Sequence, residues 1–148
     1  MRAFYLFFIL LSGCSYNGNQ TIAEQKVFFI SPSDGDVVTS PVAIKFGVIG
    51  MEIVPAGIDK PESGHHHLLV NVDELPNMKT PIPADKNHLH FGKGQTEATV
   101  DLPKGKHTLQ LLLGNYLHVP HSPPLISKKI EIIAVSYTHL TLPTIYSV

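Results

Sequence analysis

Residues 42–48 read VAIKFGV, with a large apolar side chain at every second position. Successive side chains of a β-strand point to opposite faces of its sheet, so this alternation predicts a strand with one buried face. The predicted buried face carries Val42, Ile44, Phe46 and Val48. The stretch therefore favours a fold built from β-strands.

Short apolar runs of similar kind recur along the chain between turn signals such as SPSDG at residues 31–35. No segment has convincing helical periodicity, and prolines stand at the edges of the runs or between them. We expect an all-β domain, specifically an immunoglobulin-like two-sheet sandwich of about seven strands. The predicted strands cover residues 26–30, 42–48, 65–72, 88–91, 96–102, 107–113 and 125–134.

The composition limits the class of protein. The chain has 148 residues, 43% of them hydrophobic and 16% charged, which suits one folded domain and is too apolar for a disordered chain. Its formal charge of −1 provides no basic surface for nucleic acid. Its single cysteine excludes an internal disulfide framework and any four-cysteine zinc site.

The amino-terminal residues are typical of an exported lipoprotein. Arg2 precedes the apolar run AFYLFFILL, which is too short to span a bilayer and suits a signal peptide. The following residues, LSGC at 11–14, resemble the bacterial lipobox, whose cysteine becomes lipidated. We therefore expect a signal peptide at residues 1–13, and a lipidated Cys14 with a polar tether at 14–25. Ser15 favours the outer membrane of a Gram-negative cell and a periplasmic location; the alternative is a signal anchor with a chance cysteine.

The carboxyl-terminal residues 135–148, VSYTHLTLPTIYSV, do not continue the preceding pattern. Their back-translation resembles a sequencing adaptor read in frame. We interpret this stretch as a non-native tail, which leaves residues 26–134 as the histidine-rich β-sandwich domain. A genuine tail is the alternative.

Histidine is the residue type that points most directly to chemistry, because eight of the nine histidines lie between residues 65 and 121 and most form clumps. Alternate residues of a strand share a face, so the side chains of His65 and His67 would point one way and that of His66 the other. Imidazole is a good ligand for copper and zinc, and we expect one of these ions as the cofactor. The predicted ligands are His65, His67, His88, His90, His118 and His121. Possible additional ligands are Met51, Met78, Asp85 and Glu97.

Other interpretations of the histidines remain open. His66 and His107 could be packed, hydrogen-bonded core residues. The whole set could act as a charge switch, since residues 14–134 would change from −2 to +6 on protonation of their eight histidines, at about pH 6 to 7. The alternative function is an envelope interaction module without metal, which binds a protein or glycan and uses the histidines as a structural hydrogen-bond network.

Enzyme activity is not expected. HLHFG at residues 88–92 is faintly similar to the histidine pair of copper-zinc superoxide dismutases, but those enzymes use a disulfide and an arginine that the mature chain lacks. The chain also has no Gly-x-Ser-x-Gly motif of the hydrolase nucleophile elbow.

A dense set of motifs resembles one known family. The motifs are VFFISP at 27–32, PAG at 55–57, GHHHLL at 64–69, PIPA at 81–84, HLHFG at 88–92, GQTE at 94–97, GKHTLQLLLG at 105–114 and HVPH at 118–121. Together they are similar to the bacterial domain of unknown function family 4399, over about residues 27–133. The resemblance implies a small, exported, histidine-rich domain with no established activity.

Overall fold

The structure, a computed structural model, describes residues 24–136. The described residues form nine strands and no helix. The strands are β1 (Lys26–Ser31), β2 (Val37–Ser40), β3 (Val42–Ile49), β4 (Glu52–Ile53), β5 (Ser63–Val70), β6 (His88–His90), β7 (Glu97–Val100), β8 (Gly105–Gly114) and β9 (Ile130–Ser136). Accordingly, the described part of the chain contains no helix long and apolar enough to cross a membrane.

The strands form two sheets, which confirms the predicted all-β sandwich. The smaller sheet has the order β1-β3-β7 and is antiparallel. The larger sheet has the order β2-β9-β8-β5-β4, and β6 also pairs with β5. Strand β5 therefore has β8 along one edge, while β4 and β6 share the other edge.

The structure has more strands than the sequence predicts. The additional strands, β2 and β4, have four and two residues and pair in parallel with β9 and β5. Such short segments carry too little alternation to be recognised. Residues 125–129 are predicted to begin the last strand, but that strand starts at Ile130. They form an irregular segment in which the backbones of Leu125 and Ser127 make hydrogen bonds to Leu113 and Leu111 of β8.

The two terminal predictions lie mostly outside the described residues. The signal peptide and Cys14 precede residue 24. Strand β9 extends to Ser136, where Val135 and Ser136 pair with Thr39 and Ser40 of β2. The origin of the tail and the lipidation of Cys14 stay predictions.

The main hydrophobic core lies between the sheets. Val42, Ile44 and Phe46 of β3 are buried there, and Val48 is half-buried, as the alternation of β3 predicts. They pack with Leu68 of β5 and other buried residues of the larger sheet. A second cluster covers the opposite face of the larger sheet and consists of Leu69, Val72, Ile82 and Leu112.

Both faces of β5 are consequently covered, and all eight of its residues are buried. A strand buried on both faces has no solvent-facing side on which polar residues would be favoured. The three consecutive histidines of β5 therefore lie in surroundings that exclude water, on opposite faces of one sheet.

Candidate metal centre

Strand β5 directs its three histidines to two different places. His66 points into the sandwich with Leu68, and its ring centroid lies 5.0 Å from that of Phe46. His65 and His67 point to the opposite face, as strand alternation predicts. That face of the larger sheet, and not an end of the sandwich, carries the candidate site.

Four imidazoles meet on this face. His65 and His67 of β5 lie beside His90 of β6 and His118 of the loop after β8, and we call these four residues the histidine cluster. The six distances between their ring centroids run from 4.8 to 6.0 Å. Each ring is therefore close to the other three.

Different local structures deliver the two outer histidines. His90 stands directly opposite His67 in the antiparallel pairing of β5 and β6. His118 lies in a tight turn in which the Asn115 side chain accepts hydrogen bonds from the backbone amides of Leu117 and Val119. His118 has a φ of 66°, in the left-handed region that non-glycine residues seldom adopt. The turn thus aims the His118 ring at the cluster at some cost in backbone strain.

Three glycines leave room for histidine rings. A Cβ atom on Gly114 would lie 2.8 Å from Cε1 of His67, and one on Gly64 would lie 3.0 Å from Nε2 of His121. A Cβ atom on Gly92 would overlap the ring of His90. A side chain at Gly92 or Gly114 would have to displace an imidazole, and one at Gly64 would collide first with the Gly114 carbonyl oxygen, 2.6 Å from its Cβ.

Three histidines could hold a metal ion. His65, His90 and His118 each offer a ring nitrogen, and these atoms lie within 4.8 Å of one another. His65 is fully buried, His118 is half-buried and His90 is exposed. The three nitrogens therefore run from the floor of the site to its surface.

Several ring nitrogens in and beside the cluster have no hydrogen-bond partner among the described residues. They are both nitrogens of His65, Nδ1 of His67 and Nε2 of His121. Leaving a buried polar group without a partner costs roughly 1–3 kcal/mol. Both nitrogens of His66 share this condition, but His66 lies on the core side of β5.

The buried histidines are held neutral. Burial, followed by repulsion from His118, lowers the pKa of His65 from 6.5 to about 4. Burial, followed by repulsion from His65, lowers the pKa of His67 to about 3, and burial alone lowers that of His66 to about 4. Neutral imidazole is the form that binds metal. These values also contradict a charge change of the whole set near pH 6 to 7, because desolvation opposes protonation.

The structure separates the remaining predicted ligands from the cluster. His88 donates a hydrogen bond from Nδ1 to Oδ1 of Asp85 over 2.9 Å. Its ring does not pack against any of the four rings of the histidine cluster. Glu97 lies on β7 of the other sheet, opposite Lys45. Met51 packs against the main core and Met78 against the second apolar cluster.

His121 lies beside the cluster but is not one of the three histidines that could hold the ion. Repulsion from a protonated His121 helps to lower the pKa of His65, which indicates that the two rings are near each other. Burial lowers the pKa of His121 itself. His107 is a packed, hydrogen-bonded residue: its Nε2 donates to the carbonyl of Pro103, and its Nδ1 accepts from the Asn71 amide.

A family model described as "Domain of unknown function (DUF4399)" matches residues 44–135. The match confirms the resemblance seen in the sequence motifs and includes every member of the histidine cluster. No curated protein and no solved structure gives a significant match to the chain.

Proposed function

We propose that this chain, which belongs to the DUF4399 family of domains of unknown function, binds a divalent transition-metal ion at His65, His90 and His118. The observation that carries the proposal is the approach of three ring nitrogens to within 4.8 Å of one another. Ligand nitrogens around a tetrahedral zinc ion lie roughly 3.3 Å apart, given Zn–N bonds of about 2.05 Å. Small rotations of the two outer rings would close the remaining distance.

The unpartnered nitrogens support metal binding over a purely structural histidine network. Network histidines have recognisable partners, and two histidines of this chain illustrate them: His107 bonds to Pro103 and Asn71, and His88 bonds to Asp85. His65 differs from both, because neither of its nitrogens has such a partner among the described residues. A metal ion would satisfy one of these nitrogens and offset part of the cost of burying it.

Copper(II) and zinc(II) fit the donor set better than other common ions. The ligands are imidazoles, which suit copper, zinc and nickel, and no thiolate contributes within residues 24–136. Divalent copper binds nitrogen ligands more tightly than zinc does. We therefore expect the site to take up both ions, with copper the tighter.

Calorimetric titration of the purified, untagged chain with Cu(II) and with Zn(II) tests this function. We expect one ion per chain with a submicromolar Kd. His118→Asn should weaken binding strongly, because asparagine tolerates the left-handed backbone at this position but supplies no imidazole. Binding weaker than micromolar in the unmutated chain, or unchanged binding in the variant, would contradict the proposal.

We also propose that Cys14 is lipidated and holds the domain at the periplasmic face of the outer membrane. The support is the lipobox-like sequence at residues 11–14 after an apolar run. Several acyl chains would bind a membrane far more stably than one. Cell fractionation tests the proposal: the unmutated protein should be recovered with membranes and incorporate labelled palmitate. A Cys14→Ser variant that does both equally well would contradict it.

A further inference from the structure

We infer that the metal ion held by His65, His90 and His118 keeps a solvent-facing coordination position, where it binds a small exchangeable anion. This inference rests on the proposed metal binding and goes beyond it, because it gives the site a second ligand of stated chemistry. It follows from the one-sided burial of the ligands, their lack of charge, and the apolar residues at the rim.

The ligands approach an ion from one side. His65 is 0% exposed and forms the floor of the site together with His67, which is 1% exposed. His90 lies at the surface, and His118 is half-buried. An ion bound to these nitrogens would have protein beneath it and solvent above it. Three protein ligands plus one open position is the arrangement that lets a metal site exchange an external ligand.

The ligands leave the charge of the ion uncompensated. Within residues 24–136, this triad is the only group of three or more histidine, cysteine or acidic side chains whose ligand atoms lie close enough together to hold an ion. Asp85 is occupied by His88, and Glu97 lies on the other sheet. The charges that influence His65, His67 and His90 are those of other histidines. A divalent ion with three neutral ligands would keep a charge of +2 and therefore attract an anion.

The turn that carries His118 and the loop bonded to it, which we call the rim, carry two exposed apolar residues. The Gly57 amide donates to the Tyr116 carbonyl over 3.1 Å, which joins the loop before β5 to the turn that carries His118. The residues that follow each of these, Ile58 and Leu117, are apolar and 50% and 55% exposed. Ile58 and Leu117 therefore add no charge beside the site that could compensate that of a bound ion.

Azide is a suitable probe, because it is a small monoanion that gives a charge-transfer band when it binds Cu(II). The full chain is loaded with one equivalent of Cu(II), freed of unbound metal, and titrated with azide. We expect a new near-ultraviolet band that saturates, together with a change in the copper electron paramagnetic resonance spectrum. Bound copper whose two spectra do not change with azide would overturn the inference and leave the metal-binding proposal intact. Failure to bind copper would overturn both.

Substitution of Leu117 tests the electrostatic part of the argument. Leu117→Glu places a carboxylate one residue from His118, whereas Leu117→Gln has nearly the same shape without the charge. The introduced negative charge should weaken azide binding several-fold, because it repels the anion. We expect Leu117→Gln to retain the original azide affinity. Equal affinities in the two variants would overturn the assignment of this rim to the anion site.

Discussion

His90 and His88 occupy alternate positions of β6, which makes them a matched pair for testing the metal centre. Each is replaced by alanine separately. His90 belongs to the histidine cluster, whereas His88 is bonded to Asp85 outside it. His90 is exposed, so its loss should remove no more than about 1 kcal/mol from the stability of the metal-free protein. The His88 side chain is only 15% exposed, so losing its bond to Asp85 should cost about 1–3 kcal/mol, and the comparison therefore uses the zinc-induced change within each variant.

The expected difference appears when zinc is added. A ligand present at 1,000 times its Kd stabilises the folded state by about 4.1 kcal/mol. Losing one of three ligands should weaken binding by at least about 100-fold, because removal of outer-shell partners alone costs about 10- to 100-fold. At the same zinc concentration the stabilisation then falls to about 1.4 kcal/mol. For a domain of this size 1 kcal/mol corresponds to about 4 °C, so the zinc-induced rise in Tm should fall from about 16 °C to about 6 °C.

The assay is thermal unfolding by circular dichroism, with and without zinc, on the unmutated chain and both variants. His88→Ala should retain the full zinc-induced rise in Tm, and His90→Ala should lose most of it. Equal rises in the two variants would refute the assignment of His90, and a loss confined to His88→Ala would assign the ion to His88 instead.

Three further predictions concern the surroundings of the cluster. The metal-free protein should lose stability as the pH falls from 6.5 towards 4, by up to about 1.4 kcal/mol per pH unit for each buried histidine. The reason is that His65 and His67 take up protons in the unfolded chain at a higher pH than in the folded protein. Urea unfolding at several pH values measures this, and a free energy of unfolding that is constant over the range would contradict it. Gly114→Ala should cost about 1–3 kcal/mol in urea unfolding and weaken zinc binding, because its Cβ would lie 2.8 Å from Cε1 of His67; unchanged values for both would show that the ring moves freely. His107→Ala should cost about 1–3 kcal/mol through its lost hydrogen bonds and leave zinc affinity unchanged in calorimetry; a weakened affinity would extend the site beyond the cluster.

Strand periodicity was sufficient to predict the sandwich and the division of the β5 histidines. The alternation at residues 42–48 is that of β3, whose buried residues face the core. The same rule separates His66 from its two neighbours. Both predictions depend only on backbone geometry within one strand, which the sequence specifies locally.

The rule was insufficient for β6, where it predicts a common role for His88 and His90. The strand is only three residues long, and the turn before it places the carboxylate of Asp85 within hydrogen-bonding distance of His88. His90 instead stands across from His67. The outcome depends on a local side-chain bond and a non-local pairing, and neither has a periodic signature. The path of residues 115–121 is likewise set by hydrogen bonds to Asn115, which alternation cannot reveal.

Glycine is the signal that could have located the cluster more closely. Gly64, Gly92 and Gly114 stand in or beside strands, where glycine lowers stability by roughly 0.5–1 kcal/mol relative to alanine. None of the three has the positive φ that would require glycine, yet each would bring a Cβ against a different histidine ring. Glycine is therefore required at positions 92 and 114 by the imidazoles beside it, whereas at position 64 the carbonyl oxygen of Gly114 lies nearest to an added Cβ, at 2.6 Å. The chain accepts this cost twice beside the histidine cluster, at Gly92 and Gly114, and the absence of a side chain there lets His90 and His67 lie with ring centroids 5.1 Å apart.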